Sequence, residues 1–171
     1  YRFHENATPY FVTCTVVGWL PVFAFSPAAE IILASLEYLQ NEKALCIHGY
    51  VIMENHIHLV ISSPDPGRHL RRFKSYTARQ IIDRLTNSGH RWTLGLLQTY
   101  KRDYKAQLHQ FWQEGSHPKQ MLTMEMLQQK LEYIHNNPVQ RGYVDHPEDW
   151  RYSSARNYLD REGLIEVTRV L

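Results

Sequence analysis

The sequence contains little cysteine and no long hydrophobic run. Its two cysteines, Cys14 and Cys46, each lie inside a strand-like segment, which favours reduced, buried thiols in a cytosolic protein over a disulfide. No run approaches the roughly 18 consecutive apolar residues of a membrane span. The first thirty residues also lack the basic and then apolar order of a secretion signal. These absences predict a cytoplasmic protein without a membrane segment.

The net charge of +2 is also small, but it conceals a separation of charge along the chain. Residues 68–105 contain ten Lys or Arg and two Asp, a local charge of +8, so the rest of the chain sums to −6. Four aromatic residues interleave with these cations: Tyr76, Trp92, Tyr100 and Tyr104. Charge runs are often only solvated faces. This combination instead favours a groove that follows a nucleic-acid backbone and stacks on its bases.

With 171 residues, 43% of them hydrophobic, the chain is long enough for one core, and we expect a single domain over 1–171. Residues 10–17 are rich in β-branched and aromatic types, which predicts a strand. A helix follows, with Ser26 as its N-cap and Pro27 at its first position, and it ends near Asn41.

A β-hairpin is predicted next, from strands over 44–53 and 56–62 joined by a tight turn at Glu54 and Asn55. After a Pro-rich and Gly-containing break, apolar residues recur at helical intervals, which predicts that the basic segment begins as an amphipathic helix. These apolar positions are Leu70, Phe73, Ile81 and Leu85.

The pattern over 86–110 is not decisive, and Phe111 and Trp112 start a short strand or a loop. Thr123 can cap a helix over about 124–137, which Pro138 should terminate. A tail over about 145–171 follows. The order β-α-β-β-α-(β)-α predicts an α+β domain, a ferredoxin-like or RRM-like antiparallel sheet with helices packed mainly on one face.

Two histidines stand out inside the second strand of the hairpin. His56 and His58 are two residues apart, so in a strand their side chains share one face while Ile57 and Leu59 point to the other. Two adjacent neutral imidazoles make half a metal site. The structural alternative is a strand whose histidine face is exposed to solvent and binds no metal. A nucleotide hydrolase in which three histidines alternate with apolar residues would need a third histidine at position 60. Val60 argues against that class of enzyme.

The last helix separates packing residues from presented ones. Leu127, Leu131 and Ile134 form a stripe that should face the core, whereas Tyr133 and Asn137 lie one turn apart on another face. Alternatively, Tyr133 is a partly buried aromatic at the margin of the stripe. Asn137 could likewise be a helix-end residue that tolerates left-handed geometry. Spacing alone does not separate these alternatives.

Four segments together resemble a known family. They are Glu132-Tyr133-Ile134-His135-Asn136-Asn137-Pro138-Val139-Gln140-Arg141-Gly142-Tyr143-Val144, His56-Ile57-His58, Phe73-Lys74-Ser75-Tyr76-Thr77-Ala78 and Trp150-Arg151-Tyr152-Ser153-Ser154. In this order they resemble the REP-associated tyrosine transposases, which belong to the single-tyrosine HUH transposases. The resemblance extends over about residues 10–158.

The resemblance implies roles for individual residues. His56 and His58 match the two-histidine metal motif, Tyr133 matches the nucleophile and Asn137 matches an amide ligand of the metal, which is Mg²⁺ or Mn²⁺. Relatives cut single-stranded DNA beside a hairpin, leaving a 5′-phosphotyrosine and a free 3′-hydroxyl. The implied protein is bacterial, is associated with the nucleoid when DNA-bound, and acts as a monomer in cis or as a homodimer.

Basic and aromatic residues are the expected DNA contacts: Arg71, Arg72, Lys74, Tyr76, Arg79 and Arg141. Tyr76 is also the rival nucleophile, while Trp112 and His117 could equally be structural. The alternative function is a non-catalytic, domesticated protein that binds repeat DNA on the same fold.

Overall fold

The computed structural model describes residues 8–42, 45–101, 108–116 and 118–170. Arg102, Tyr104, Lys105 and His117, which the sequence analysis singled out, lie outside these residues. The strands are β1 (Tyr10–Thr15), β2 (Cys46–Ile52), β3 (His56–Ser62) and β4 (Lys119–Gln120). The α-helices are α1 (Ser26–Asn41), α2 (Pro66–Asn87), α3 (Arg91–Thr99) and α4 (Met124–Gln140).

The four strands form one antiparallel sheet in the order β2-β3-β1-β4. Helix α1 connects β1 to β2, and α2 and α3 lie between β3 and β4. This is the ferredoxin-like arrangement, so the predicted α+β fold is confirmed. The predicted hairpin is also confirmed, since β2 and β3 pair directly. Strand β3, which carries both histidines, lies between β1 and β2 inside the sheet.

The two faces of the sheet pack against different helices. Ile57, Leu59 and Ile61 belong to a large core that includes the apolar sides of α1, α2 and α3, in agreement with helices mainly on one face. The other face meets α4. There a smaller cluster joins sheet and helix residues: Phe11, Val51, Met53, Val60, Leu127, Leu131 and Ile134.

Helix α4 begins as predicted but ends later. Thr123 caps it, with Oγ1 accepting a hydrogen bond from the Met126 N–H at 3.1 Å. The expectation that Pro138 ends the helix is wrong, because the helix continues to Gln140. Proline removes one backbone donor, and beyond it the ladder resumes with the Arg141 N–H donating to the Asn137 carbonyl at 3.1 Å.

Two further expectations are corrected or refined. Ser26 is the first residue of α1 and not its cap; Phe25 occupies the cap position without a side-chain hydrogen bond. The last strand is Lys119–Gln120, while Trp112 makes only an isolated bridge to Val16. Trp112 is buried and its indole N–H donates to the Lys74 carbonyl at 3.1 Å, which is a structural role.

Close packing places α4 directly over β2. A Cβ built at Gly49 would lie 2.5 Å from Leu131 Cδ2, so a larger residue there would require the Leu131 side chain to move. Residues 152–154 add to the free edge of β2, where the Ile52 N–H donates to the Tyr152 carbonyl at 2.8 Å. Within the described residues, no helix has the length and apolar character needed to cross a membrane.

Candidate catalytic site

A cavity of about 360 Å³ opens between β1, Trp19, β3 and the last turns of α4. Eight residues line it: Thr13, Trp19, His56, His58, Tyr133, Asn137, Gln140 and Arg141. The fold therefore brings together the two histidines, the tyrosine and the asparagine that the sequence analysis singled out in two distant segments.

The two imidazoles are held side by side, with ring centroids 4.7 Å apart. His56 Nδ1 donates to Asn55 Oδ1 at 2.6 Å, because an amide oxygen can only accept. Thr13 lies opposite His58 in the β1–β3 register, and its Oγ1 forms a hydrogen bond of 2.9 Å with His58 Nδ1. With Nδ1 engaged in each ring, the Nε2 atoms are the ones left to bind a ligand.

Burial keeps both rings neutral at physiological pH. It lowers the pKa of His56 to about 4, with the positive charge of Arg141 adding to the effect. It lowers the pKa of His58 to about 3, followed in size by the effects of His56 and Lys130. The two residues are only 4% and 5% exposed, so the alternative of a solvent-exposed histidine face is wrong.

Tyr133 and Asn137 extend from α4 toward the histidine pair. The Tyr133 ring lies 5.4 Å from the His58 ring, centroid to centroid, and is 41% exposed. Asn137 lies three residues before the end of α4 and its side chain is buried. Its Oδ1 has no hydrogen-bond partner. A buried amide oxygen without a partner costs free energy. Helix termination does not explain Asn137, since the helix continues past it.

The available donors fit a divalent metal ion with mixed nitrogen and oxygen ligands. They are two neutral imidazole nitrogens and the unpartnered Asn137 Oδ1. In the described part of the chain, no three or more His, Cys, Asp or Glu side chains form a group that could hold a metal ion. A complete ligand set here therefore depends on the amide.

Several site residues had escaped the sequence analysis. Lys130 places Nζ 5.2 Å from the centre of the Tyr133 ring, and its position three residues earlier in the helix was a usable signal. The Trp19 ring lies 6.0 Å from the His56 ring, but Trp19 ends a short 3-10 helix, Val17–Trp19, where no periodicity marked it. Asn55 was assigned only to the hairpin turn, yet its side chain holds His56.

Arg141 is the one predicted DNA contact that lines this cavity. Its Nη1 forms a 3.1 Å ion pair with Glu54 Oε1, from the hairpin turn. The ion pair holds the Arg141 guanidinium at the cavity rim, beside the histidine pair, with Glu54 balancing its charge.

The predicted contacts on α2 lie elsewhere. Arg71, Arg72, Tyr76 and Arg79 line a groove of about 820 Å³ between α1 and α2, which we call the helical groove. It is on the face of the sheet opposite the histidines. Tyr76 is therefore not placed beside the histidine pair.

Lys74 occupies neither surface. Its Nζ donates to the Gln113 carbonyl and to Ser116 Oγ, both at 3.1 Å, and so ties α2 to the segment before β4. Its position shows that a basic helix with alternating aromatics need not present all its cations in one place.

Comparison with known proteins agrees with this arrangement. A family model described as "Transposase IS200 like" matches residues 22–137, which include both histidines, Tyr133 and Asn137. A solved structure described as a REP-associated tyrosine transposase bound to a REP hairpin is similar, with a TM-score of 0.66 and 16% identity, covering 98% of this chain and 92% of that chain. At this identity the likeness shows the fold. No curated protein sequence matches. Because the family model covers more than half of the chain, this protein belongs to the IS200-like transposases.

Proposed function

We propose that this transposase is a single-strand DNA endonuclease and strand transferase that acts beside DNA hairpins, with Tyr133 as its covalent nucleophile. In this proposal His56, His58 and Asn137 hold a divalent metal ion, Mg²⁺ or Mn²⁺. The observation that carries the proposal is the unpartnered, buried Asn137 Oδ1 in the cavity that also contains the histidine pair and Tyr133.

The reaction balances without an external energy source. The phenol oxygen of Tyr133 attacks the scissile phosphorus and loses its proton, and the bond from phosphorus to the 3′-oxygen breaks. The leaving oxygen takes up a proton and becomes a free 3′-hydroxyl, while the 5′-phosphate remains on Tyr133. Attack of a 3′-hydroxyl on that phosphotyrosine reverses the step and joins strands, so no ATP is required.

The protein supplies ligands, charge and position for this step. A bound divalent ion would neutralise the phosphate oxygens and orient the scissile group. Lys130 adds positive charge near Tyr133, and Arg141, although paired with Glu54, has further N–H donors at the cavity, so both can bind an anionic substrate. The low pKa values of His56 and His58 keep their lone pairs available at neutral pH.

The substrate class comes from the relatives and from the charge distribution. The structurally similar transposase is described as bound to a REP hairpin, which supports a hairpin-bearing single strand as the partner here. We propose that Arg71, Arg72, Tyr76 and Arg79 in the helical groove contact this DNA away from the scissile phosphate, on the opposite face of the sheet. Lys74, whose ammonium is engaged within the protein, would contribute less.

The second candidate function is a non-catalytic protein that binds repeat DNA. Such a protein needs the helical groove but has no use for two imidazoles and an unpartnered amide oxygen around one tyrosine. Those features favour the enzyme.

Covalent trapping separates the two functions. Labelled single-stranded DNA hairpins from the source genome are incubated with the protein and Mn²⁺ or Mg²⁺, and adducts are resolved on a denaturing gel. We expect an adduct with the natural chain and none with Tyr133→Phe, which should still bind the hairpin.

Tyr76→Phe is the matched control, because Tyr76 is similarly exposed but lies in the helical groove. It should form the adduct. An adduct with Tyr133→Phe would contradict the assignment of the nucleophile, and binding without any adduct from the natural chain would favour the non-catalytic function.

A further inference from the structure

We propose that the indole of Trp19 is the stacking surface for one nucleobase of single-stranded DNA, on a nucleotide next to the phosphate that Tyr133 attacks. The inference rests on the proposed function and adds to it a base-binding subsite. Trp19 ends a short 3-10 helix after β1, Val17–Trp19, and is 56% exposed, although it lines the same cavity as the histidines. Its exposed indole therefore offers an aromatic surface beside a polar cavity, and such surfaces are the stacking platforms for bases of single-stranded nucleic acid.

The position of Trp19 matches a nucleotide that flanks the reacting phosphate. Four rings follow one another along the cavity: Trp19, His56, His58 and Tyr133. Successive centroids are 6.0, 4.7 and 5.4 Å apart. In this row Trp19 and Tyr133 are at the two ends, and the two histidines lie between them. A base on Trp19 would belong to a neighbour of the nucleotide whose phosphate reaches Tyr133.

The backbone holds Trp19 in an unusual conformation. Gly18 and Trp19 both have left-handed backbone angles, with φ of 60° and 55°, which is rare for a bulky residue. The positive φ favours glycine at position 18, where a Cβ would also lie 2.2 Å from the Tyr100 ring and displace it. Backbone outliers of this kind cluster at ligand sites, where the surrounding structure maintains them.

Hydrogen bonds maintain this turn. The Val17 N–H donates to the Phe111 carbonyl at 2.9 Å, and the Trp19 N–H donates to the Val16 carbonyl at 3.1 Å. Hydrogen bonds therefore hold in place the backbone that carries the indole, which reduces the conformational entropy lost when a base stacks on it.

Asn55 connects Trp19 to the histidine pair. Its Oδ1 accepts from His56 Nδ1 at 2.6 Å, and its Nδ2 donates to the Trp19 carbonyl at 3.4 Å. One amide therefore orients a proposed metal ligand and holds the backbone that carries the indole. This shared support keeps the stacking surface in register with the proposed metal ligands.

The ligand class follows from the chemistry of the surface. Every nucleobase has a π-face, so stacking on an indole tolerates sequence differences. Arg141 at the cavity and Lys130 beside Tyr133 suit the phosphates of a strand that carries a stacked base. A planar base within a polyanion matches both features.

Binding is tested with a fluorescein-labelled pool of single-stranded DNA of about 20 nucleotides with randomised sequence, a length beyond the site sizes of single-strand-binding folds. All proteins carry Tyr133→Phe so that no cleavage interferes. We expect Trp19→Ala to raise the apparent Kd about 5- to 150-fold by anisotropy, the range for loss of one stacked base. Trp19→Phe should retain most of the affinity.

Leu159→Ala is the control, since Leu159 is 49% exposed but lies in the C-terminal tail, outside both the cavity and the helical groove. Its affinity should equal that of the parent. Equal affinities for Trp19→Ala and the parent, or equal losses for Trp19→Ala and Leu159→Ala, would overturn the inference.

Tryptophan fluorescence gives a readout that remains valid if Trp19→Ala fails to fold. The same DNA pool should quench the tryptophan fluorescence of the parent, and most of this quenching should be absent in Trp19→Phe. Undiminished quenching in Trp19→Phe would contradict a stacked base. The adduct assay stays separate, because failure of the natural chain to form an adduct bears on the proposed function, whereas these measurements do not require Tyr133.

Discussion

Single residues around the histidine pair illustrate what a pattern reveals and what it leaves out. Alternation in a strand predicted that His56 and His58 share a face, and they do. The partners of their Nδ1 atoms come from a turn and from a neighbouring strand, Asn55 and Thr13. Strand register is a tertiary property, so the Thr13 contact could not be derived from the local sequence.

Asn55 gives a direct test of this supporting shell. Because its carbonyl oxygen orients His56, Asn55→Ala should weaken Mn²⁺ binding about 10- to 100-fold. Isothermal titration calorimetry of the DNA-free protein measures this change. Asn136→Ala is the control, since Asn136 is exposed on α4 beside the site residue Asn137. Unchanged Mn²⁺ affinity in Asn55→Ala would contradict the supporting role.

The two free cysteines differ in environment, and their reactivity should differ accordingly. Burial raises the pKa of Cys14 to about 11, whereas a hydrogen bond with His48 lowers the pKa of the half-buried Cys46. The thiolate is the reactive form, and a lower pKa means more of it at pH 8. Iodoacetamide at pH 8 should therefore modify Cys46 first and Cys14 only after unfolding.

Mass spectrometry of peptides after timed alkylation locates the modified cysteine. Cys46→Ser should show almost no modification in the native state. Rapid native-state modification of Cys14 would contradict its burial.

At the scale of elements, the sequence indicated α1, α2, α4 and the hairpin, but it did not resolve α3 or the position of the last strand, and it did not show which surface each cation of α2 joins. The apolar positions of α2 are buried as predicted, including Phe73 and Ile81. The cations on the same helix divide, however, between the helical groove and the contact of Lys74 with the segment before β4. A helix presents several faces at once, and only its neighbours determine which surface each face joins.

The helical groove makes a prediction about salt dependence. Replacing Arg71 and Arg79 together by Ala should lower the affinity for hairpin DNA and reduce the slope of log Kd against log salt by about 1 for each phosphate that the groove no longer neutralises. Anisotropy titrations between low and moderate salt in the Tyr133→Phe background measure the slope. The double variant at Arg151 and Arg161, two cations of the C-terminal tail outside the groove, is the control. An unchanged slope in the groove variant would show that the groove does not contact phosphates.

At the scale of the whole molecule, α4 lies against the sheet of its own chain, so Tyr133 stands beside the same chain's His58. From this contact within one chain we propose that the protein acts in cis, rather than by exchange of tyrosine helices between two copies. The sequence analysis left both modes open, because no local pattern specifies which sheet a terminal helix covers.

Mixing two inactive variants tests the cis arrangement. Tyr133→Phe lacks the nucleophile and His58→Ala lacks a proposed metal ligand, so each should form no adduct alone. If each active site is built from one chain, the mixture should also form none. Adduct formation in the mixture, at a substantial fraction of the level of the natural chain, would demonstrate assembly in trans. A mixture of each variant with the natural chain controls for inhibition.

The sequence by itself determined the local elements and the residue types of the site. Alternation placed His56 and His58 on one face of a strand, and helical spacing placed Tyr133 and Asn137 one turn apart, because both periods follow from backbone geometry. Only the tertiary structure decided that α4 covers the histidine face, that Asn137 Oδ1 is left without a partner there, and that Trp19 stands at the cavity mouth. These outcomes depend on contacts between segments far apart in the chain, where hydrophobic packing determines which faces meet.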